Sequence, residues 1–428
     1  MYSFPRGGIS FQDYSVPSRD FCTTAFLPSL SIIPMTQHSG ARSYPIVSVG
    51  DLVKEGMLVA RSRGPGSANI HATVPGRIIR MVSWRNAGGQ VQDGLLIRME
   101  GSFEKLGKRE ENFPWESMLP YDIQRTIADF GVVEMEGRGR PVADIISSLR
   151  SAPEPVTLVV RCVFDDPWLV GDYVLCRERA KAVAEGAAIT ARICRVSRII
   201  YAISYEERKL EEGLLSASGK WGIPTATVLV GSRYPQRNQR ELELVLREYG
   251  KNEGLELGSL LILGPATLAA IFDAVKLRKP VMERYITVGG SAVKRPQVMK
   301  ARIGTRIGEL FAECGGFTGP PKRIVAGSPL SGQPIVDLDE PVIKTSNAIF
   351  ALLEEYRWQS QSSCISCGEC RNVCPVGLDP EELYKKNLVN PGAALAGVTE
   401  CHGCGCCDVV CPSRLSLSVV ITASGGGN

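Results

Sequence analysis

Nine of the chain's fourteen cysteines fall between Cys364 and Cys411, and eight of those nine form two runs of one design. The first is Cys364-x-x-Cys367-x-x-Cys370-x-x-x-Cys374, closed by Pro375. The second is Cys401-x-x-Cys404-x-x-Cys407-x-x-x-Cys411, closed by Pro412. Two-residue gaps let three thiolates converge from a single tight loop, as a [4Fe–4S] cubane requires. A structural zinc site takes four cysteines in pairs and has no use for a doubled 2-2-3 run with a proline after each. Cys406 is surplus to the pattern and reads as a buried or free thiol. His402, inside the second loop, is expected to tune hydrogen bonding near a cluster rather than replace a thiolate. Cys22, Cys162, Cys176, Cys194 and Cys314 are scattered and read as small hydrophobes.

Residue for residue, the two runs resemble those of bacterial ferredoxins, in which the fourth cysteine of each run serves the other cluster. That resemblance implies one cluster on Cys364, Cys367, Cys370 and Cys411, and a second on Cys401, Cys404, Cys407 and Cys374. The fourth cysteine is expected to begin the next helix and to point away from its own loop. Two clusters on one small domain sit at a separation suited to electron tunnelling, so no side chain need act as acid or base.

A cysteine-rich tail needs a larger body to position it, and 428 residues imply about three or four domains. Residues 1–115 are rich in Gly, Pro, Val and Ile and read as a small all-β unit. Val47–Asp51 and Gly76–Met81 are expected strands, with turns at Gly50-Asp51 and Gly88-Gly89. Across 116–280 apolar strands alternate with amphipathic helices. Leu158–Val160, Thr227–Val230 and Leu260–Leu263 read as strands, and Glu178–Cys194, Gln239–Tyr249 and Ala266–Leu277 as helices. The alternation predicts an open, mostly parallel α/β sheet. In 281–345, strands at Tyr285–Val288 and Lys322–Val325 flank a helix over Arg306–Glu313. From 346 to 428 the chain should be helical around the cysteines, with the last five residues disordered.

The fold class expected is therefore multidomain, α/β and α+β. A net charge of +4 without a long Lys/Arg run argues against nucleic acid. Arg138 and Arg140 read as solvated loop residues. No stretch approaches the ~18 consecutive apolar residues of a membrane span. The opening residues lack the regions of a signal peptide, and cysteines clustered at fixed spacing favour metal over disulfides. A cytoplasmic chain, soluble or peripheral on a membrane, is the expectation.

Over nearly its whole length the sequence is similar to the RnfC subunits of Rnf ion-translocating electron-transport complexes. Arg6-Gly7-Gly8-Ile9 and Gln37-His38-Ser39-Gly40-Ala41 carry the resemblance at the start. Val49–Gly56 and Ile70–Ile78 look like two halves of a lipoyl-type barrel-sandwich, without the lysine that carries lipoyl or biotin at the hairpin tip. Arg233-Tyr234-Pro235-Gln236 and Lys279–Arg284 continue the match. Thr287–Lys294 and Cys314-Gly315-Gly316-Phe317 look like a soluble-ligand-binding β-grasp (SLBB) module. The resemblance implies a peripheral subunit on the inner face of the cell membrane. Its partners would be the other subunits of the complex and a soluble carrier such as ferredoxin or flavodoxin.

In that family, and in the similar flavin subunit of respiratory complex I, the α/β domain binds FMN and NADH. A Gly-Leu-Gly-Gly-Ala-Gly-Phe-Pro-Thr loop brings main-chain N–H groups to phosphate. The matching stretch here is Glu134-Met135-Glu136-Gly137-Arg138-Gly139-Arg140-Pro141-Val142, with two glycines replaced by glutamates. Arg161–Pro167 stands where the family has Asn-Gly-Ala-Glu-Cys-Glu-Pro. Arg237-Asn238-Gln239-Arg240 replaces Gly-Gly-Glu-Lys, and Gly264 replaces the asparagine of Asn-Val-Gly-Thr while Thr267 is kept. These departures imply a fold retained without FMN or NADH. The expected function is an iron–sulfur electron-transfer subunit with no catalytic residue of its own. Two alternatives stand beside it. One is an FMN-containing NADH:ferredoxin-type oxidoreductase subunit, with Arg138, Arg140 and Arg161 on phosphate. The other is a scaffold with structural clusters.

Overall fold

The computed structural model describes residues 1–11, 17–86, 90–149, 155–353, 361–390 and 397–424. The turn expected at Gly88-Gly89 and the tail after Ser424 lie outside them. The N-terminal unit packs two small antiparallel sheets face to face. One has the order Leu30–Pro34, Val91–Met99, Gly76–Arg85, Leu52–Val53; the other has Tyr44–Pro45, Leu58–Arg61, Ile70–His71. Ile33, Val59, Ile70, Val74, Ile78, Leu95 and Ile97 fill the space between them. Val47–Asp51 is a turn rather than the expected strand. The Asp51 carboxylate accepts from Ser48 N–H at 2.8 Å, and Gly50 takes a φ of +95° that a strand residue does not adopt.

The α/β domain is built on four parallel strands in the order Thr225–Val230, Val196–Ser204, Val156–Cys162, Ser259–Leu263. Alternation along the strands sorts their side chains to two faces. Leu158, Val160, Tyr201 and Ile203 pack on one core, and Val159, Ile200, Ala202 and Val228 pack on another with Leu242, Val245 and Leu246. Both faces are covered, as parallel sheets require. The expected helix from Glu178 is two helices, Gly171–Glu178 and Ala180–Cys194. Helix Ala180–Cys194 crosses helix Pro265–Lys276 so closely that a Cβ on Gly186 would lie 2.0 Å from the Leu268 carbonyl oxygen. Gly186→Ala should therefore destabilise the protein by about 1–3 kcal/mol, read as a lowered unfolding midpoint. An unchanged midpoint would show that the helices separate freely.

The next unit is a six-stranded mixed sheet in the order Thr23–Thr24, Gln297–Arg302, Glu283–Gly289, Ala348–Leu352, Arg323–Ala326, Gln333–Pro334. Helix Ile307–Glu313 packs against it through Ile307, Leu310 and Phe311. Ala348–Leu352 is a strand, parallel to Glu283–Gly289 and antiparallel to Arg323–Ala326. The β module thus runs past 345, and the helical tail begins later than expected. The tail comprises Glu369–Asn372, Pro380–Val389, Cys406–Val410 and Leu417–Ser424, packed around Leu383, Val398, Leu415, Leu417 and Ile421.

The first residues of the chain tie the tail to the α/β sheet. Tyr2 bridges Val230, Ile9 bridges Tyr234, and Gly8 N–H donates to the Val373 carbonyl at 2.8 Å. Gly7, at φ +65°, runs so close that a Cβ there would sit 2.6 Å from the Cys374 carbonyl carbon. The strap holds one cysteine loop at a fixed height above the sheet edge.

Candidate iron–sulfur site and the altered nucleotide site

The two cysteine runs fold alike. Gly368 and Gly405 each follow the second cysteine of a run, with φ of +79° and +77°, and each caps a short helix. The left-handed turn reverses the chain, which puts the third cysteine, Cys370 or Cys407, in that helix beside the first two. Cys374 and Cys411 come after the short helices rather than at the start of the next ones. The prolines behind them explain this, because a residue before proline is driven out of the helical region. Cys411 accordingly sits at φ −71°, ψ 111°.

This geometry sorts the eight cysteines into two pockets. Cys364, Cys367, Cys370 and Cys411 line one, with Ile365, Leu415 and Leu417. Cys374, Cys401, Cys404 and Cys407 line the other, with Leu378, His402, Cys406 and Ile421. Each run therefore gives three sulfurs to one pocket and its fourth to the opposite one. Four thiols set in apolar walls fit the donor set of a [4Fe–4S] cluster. Burial pushes the Cys370, Cys401 and Cys407 thiols up. A hydrogen bond from Cys406 brings Cys404 down to about 7. All fourteen cysteines are free of disulfides. When bound, such clusters supply one-electron transfer; the chain's own residues set their burial and spacing.

The two pockets face different surroundings. The Cys374/Cys401/Cys404/Cys407 pocket lies against the α/β domain. Tyr234 Oη donates to the Cys404 carbonyl at 2.8 Å, and Arg240 pairs with Glu400 at 2.6 Å. His402 turns outward from the loop, its Nε2 3.2 Å from Glu241 Oε1 and its Nδ1 2.9 Å from Asn238 Nδ2. Burial opposes protonation of this imidazole, but the Glu241 carboxylate outweighs it and the His402 pKa is raised. His402 thus pins the loop to the neighbouring domain. Tyr234 and Asn238 lie in stretches the sequence singles out, but nothing in the sequence marks them or Glu241 as partners of the cysteine loop, so this interface was not readable from it. At the other pocket Cys367 is exposed, and Ile365 is 65% exposed.

In the α/β domain, most of the altered positions meet. The Glu136 carboxylate accepts from the Ala266 N–H at 2.6 Å, from the Thr267 N–H at 3.1 Å and from the Thr267 hydroxyl. Those donors form the first turn of helix Pro265–Lys276, whose N-cap is Gly264. A Cβ at Gly264 would lie 2.2 Å from the Glu136 carboxyl carbon, so glycine is what lets the carboxylate in. Arg161 reaches the carbonyls of Arg237 and Glu136 at 3.3 and 3.4 Å. Burial lowers its pKa, against the attraction of Glu136 and Glu134. The Glu134 carboxyl, raised by burial, packs over Gly137. Asp165 accepts from Arg237 N–H at 3.0 Å, and burial pushes it up to about 7. Gln239 does not join this group; it bonds Glu243 on its own helix. Arg138 and Arg140 are exposed. The main-chain N–H groups at the start of helix Pro265–Lys276 are thus occupied by the Glu136 carboxylate, and an anion could reach them only by displacing it.

Comparisons with known proteins bear on both sites. Family models match in four places: the RnfC barrel sandwich hybrid domain over 3–102, the Nuo51 FMN-binding domain over 127–254, the SLBB domain over 285–336 and the 4Fe-4S binding domain over 359–378. The RnfC-type subunit of the ion-translocating oxidoreductase complex of Rhodobacter capsulatus is 34% identical over 88% of this chain and 74% of its own length. The chain belongs to the RnfC family. The equivalent subunit of the proton-translocating ferredoxin:NAD(+) oxidoreductase complex of Clostridium ljungdahlii is 30% identical, over 83% of this chain and 78% of that one. Its counterpart in the Na(+)-translocating ferredoxin:NAD(+) oxidoreductase complex of Acetobacterium woodii is 26% identical, over 85% and 82%. Among solved structures, an NAD+-reducing [NiFe]-hydrogenase in the H2-reduced state matches with a TM-score of 0.51 at 16% identity, over 74% of this chain and 61% of that one. That likeness concerns the fold alone. As an RnfC-family chain with a 4Fe-4S domain, it is an electron-transport protein of the oxidoreductase-complex class.

Proposed function

We propose that the chain is the iron–sulfur relay of a membrane-associated Rnf-type complex. One [4Fe–4S] cluster sits on Cys364, Cys367, Cys370 and Cys411, and the other on Cys374, Cys401, Cys404 and Cys407. Electrons pass through both, between a soluble carrier such as ferredoxin or flavodoxin and the other subunits. The observation that supports this most is the exchange of fourth cysteines between the two pockets. It gives two clusters in one small domain, the arrangement of a relay rather than of an isolated structural metal. Among the described residues no helix is long and apolar enough to cross a membrane, so attachment is assigned to partner subunits.

The relay works without FMN or NADH of its own, a reading supported by the Glu136 carboxylate on the helix N-terminus. The match to an FMN-binding domain over 127–254 favours a second reading, in which FMN displaces that carboxylate and Arg161 meets the phosphate. Anaerobic titration separates them. Dithionite should bleach the clusters, whereas NADH should leave them oxidised with or without added FMN. Micromolar FMN binding followed by NADH-dependent bleaching would establish the second reading. Alkaline carbonate should release the chain from membranes, and retention after such washing would contradict attachment through partners alone.

A further inference from the structure

We propose that Glu136 is a built-in ligand of the α/β domain: its carboxylate occupies an oxyanion site that takes inorganic phosphate or a phosphate monoester once Glu136 is removed. The inference deepens the flavin-free reading and rests on it.

The site has the composition of a phosphate cradle. Helix Pro265–Lys276 begins with a proline, which has no N–H, so Ala266 and Thr267 are its first main-chain donors. Both are spent on Glu136, at 2.6 and 3.1 Å. The third donor is the Thr267 hydroxyl. Thr267 is fully buried, and its oxygen already accepts from Met135 N–H at 2.9 Å, so its one proton is directed at the carboxylate. Two main-chain N–H groups, a hydroxyl and the positive end of a helix dipole suit any oxyanion.

Two further observations separate this from an ordinary helix cap. An ordinary cap comes from the residue at the helix start, whereas Glu136 lies about 130 positions away in sequence and enters over Gly264, where any side chain would collide with it. And the Arg161 guanidinium donates to the Arg237 and Glu136 carbonyls at 3.3 and 3.4 Å, which puts a buried cation beside the Glu136 main chain, among the acids Glu134, Glu136 and Asp172. With Glu136 gone, the three donors face a space of carboxylate size, with the Arg161 cation nearby to offset the remaining acids Glu134 and Asp172.

The experiment compares intact chain, Glu136→Gly and Glu136→Gln, all anaerobically purified with their iron content measured. The probes are inorganic phosphate and FMN, followed by calorimetry and by the unfolding midpoint. The intact chain should show no phosphate-dependent rise in midpoint. Glu136→Gly should gain phosphate binding at least about tenfold tighter than the intact chain, with a matching rise in midpoint. Glu136→Gln keeps the side chain's size and fills the same space without charge, so it should lose stability and gain no binding. It also reports the cost of the lost charge if the glycine variant folds poorly, in which case Glu136→Ser takes its place.

Loss of stability in the glycine or serine variant without any gain of phosphate binding would reduce Glu136 to a plain cap and overturn the inference, leaving the relay reading intact. Phosphate binding by the intact chain as tight as by the variant would overturn it too. FMN binding with NADH-dependent bleaching in the intact chain would overturn the flavin-free reading and this inference together.

Discussion

Cys411→Ser and Cys364→Ser should remove the same cluster, although the two residues belong to different sequence runs. Intact protein purified anaerobically should carry about eight irons. Each single variant should fall to about four, and the double variant should fall no further, because both lost ligands face one pocket. Combining Cys411→Ser with Cys404→Ser should instead empty both pockets, since Cys404 lines the other one. Cys406→Ala should keep both clusters, because the second pocket retains Cys374, Cys401, Cys404 and Cys407. Iron and sulfide analysis with low-temperature EPR of the dithionite-reduced protein checks the set. If Cys411→Ser and Cys404→Ser proved equivalent and the Cys411/Cys364 pair additive, the clusters would be assembled run by run. Stoichiometric zinc without iron after anaerobic reconstitution would refute the cluster assignment altogether.

The form of the cysteine loops was legible in the sequence because its constraints are local. Two-residue gaps, one positive-φ glycine after the second cysteine and a proline after the fourth fix the loop within eleven or twelve positions. The same holds for buried strands such as Val156–Cys162, whose centre, Leu158–Val160, is a continuous apolar run. Legibility ended where the cause lies far along the chain. The central strand Val196–Ser204 follows helix Ala180–Cys194 with no glycine or proline between them; Arg195 itself takes the left-handed φ of 52°. Ala348–Leu352 looked like the start of the helical tail, since its strand character comes from pairing with Glu283–Gly289, about sixty residues earlier. Glu134 and Glu136 were visible as charges in a glycine loop, and they imply repulsion of a phosphate. The sequence does not disclose that Glu136 is itself satisfied, because its donors on Ala266 and Thr267 belong to another element.

Another long-range feature, Lys344, makes the last prediction. It is only 2% exposed, and its Nζ donates to the Asn69 carbonyl at 2.9 Å and the Gly131 carbonyl at 2.7 Å. Asn69 belongs to the barrel-sandwich, Gly131 opens the α/β domain and Lys344 precedes the last strand of the β module, so one ammonium joins three units. The fit is tight: Gly131 sits at φ +63°, and a Cβ there would be 2.1 Å from the Asn69 carbonyl oxygen. Lys344→Met should leave both carbonyls buried without a donor, a loss of about 1–3 kcal/mol each, partly offset by removal of a buried charge. The pH dependence carries a sign of its own. Burial pushes Lys344 from 10.5 down to about 7, so between those values the unfolded chain binds a proton that the folded chain has released. Stability contributed by this residue therefore rises with pH across that window, and is lowest and flat below about 7. His38 and His71 lie near it, both lowered chiefly by burial and further by Lys344, and His71 reaches about 3. Their contribution rises with pH at the acid end, below the ordinary histidine value of 6.5. Buried thiols with raised pKa values work in the opposite direction at alkaline pH, so the informative quantity is the difference between wild type and Lys344→Met. Denaturant unfolding at pH 6, 7, 8 and 9 should show that difference growing in favour of the wild type above about pH 7. A difference that stays constant over this range would mean that Lys344 keeps its proton in the fold, held by the two carbonyls.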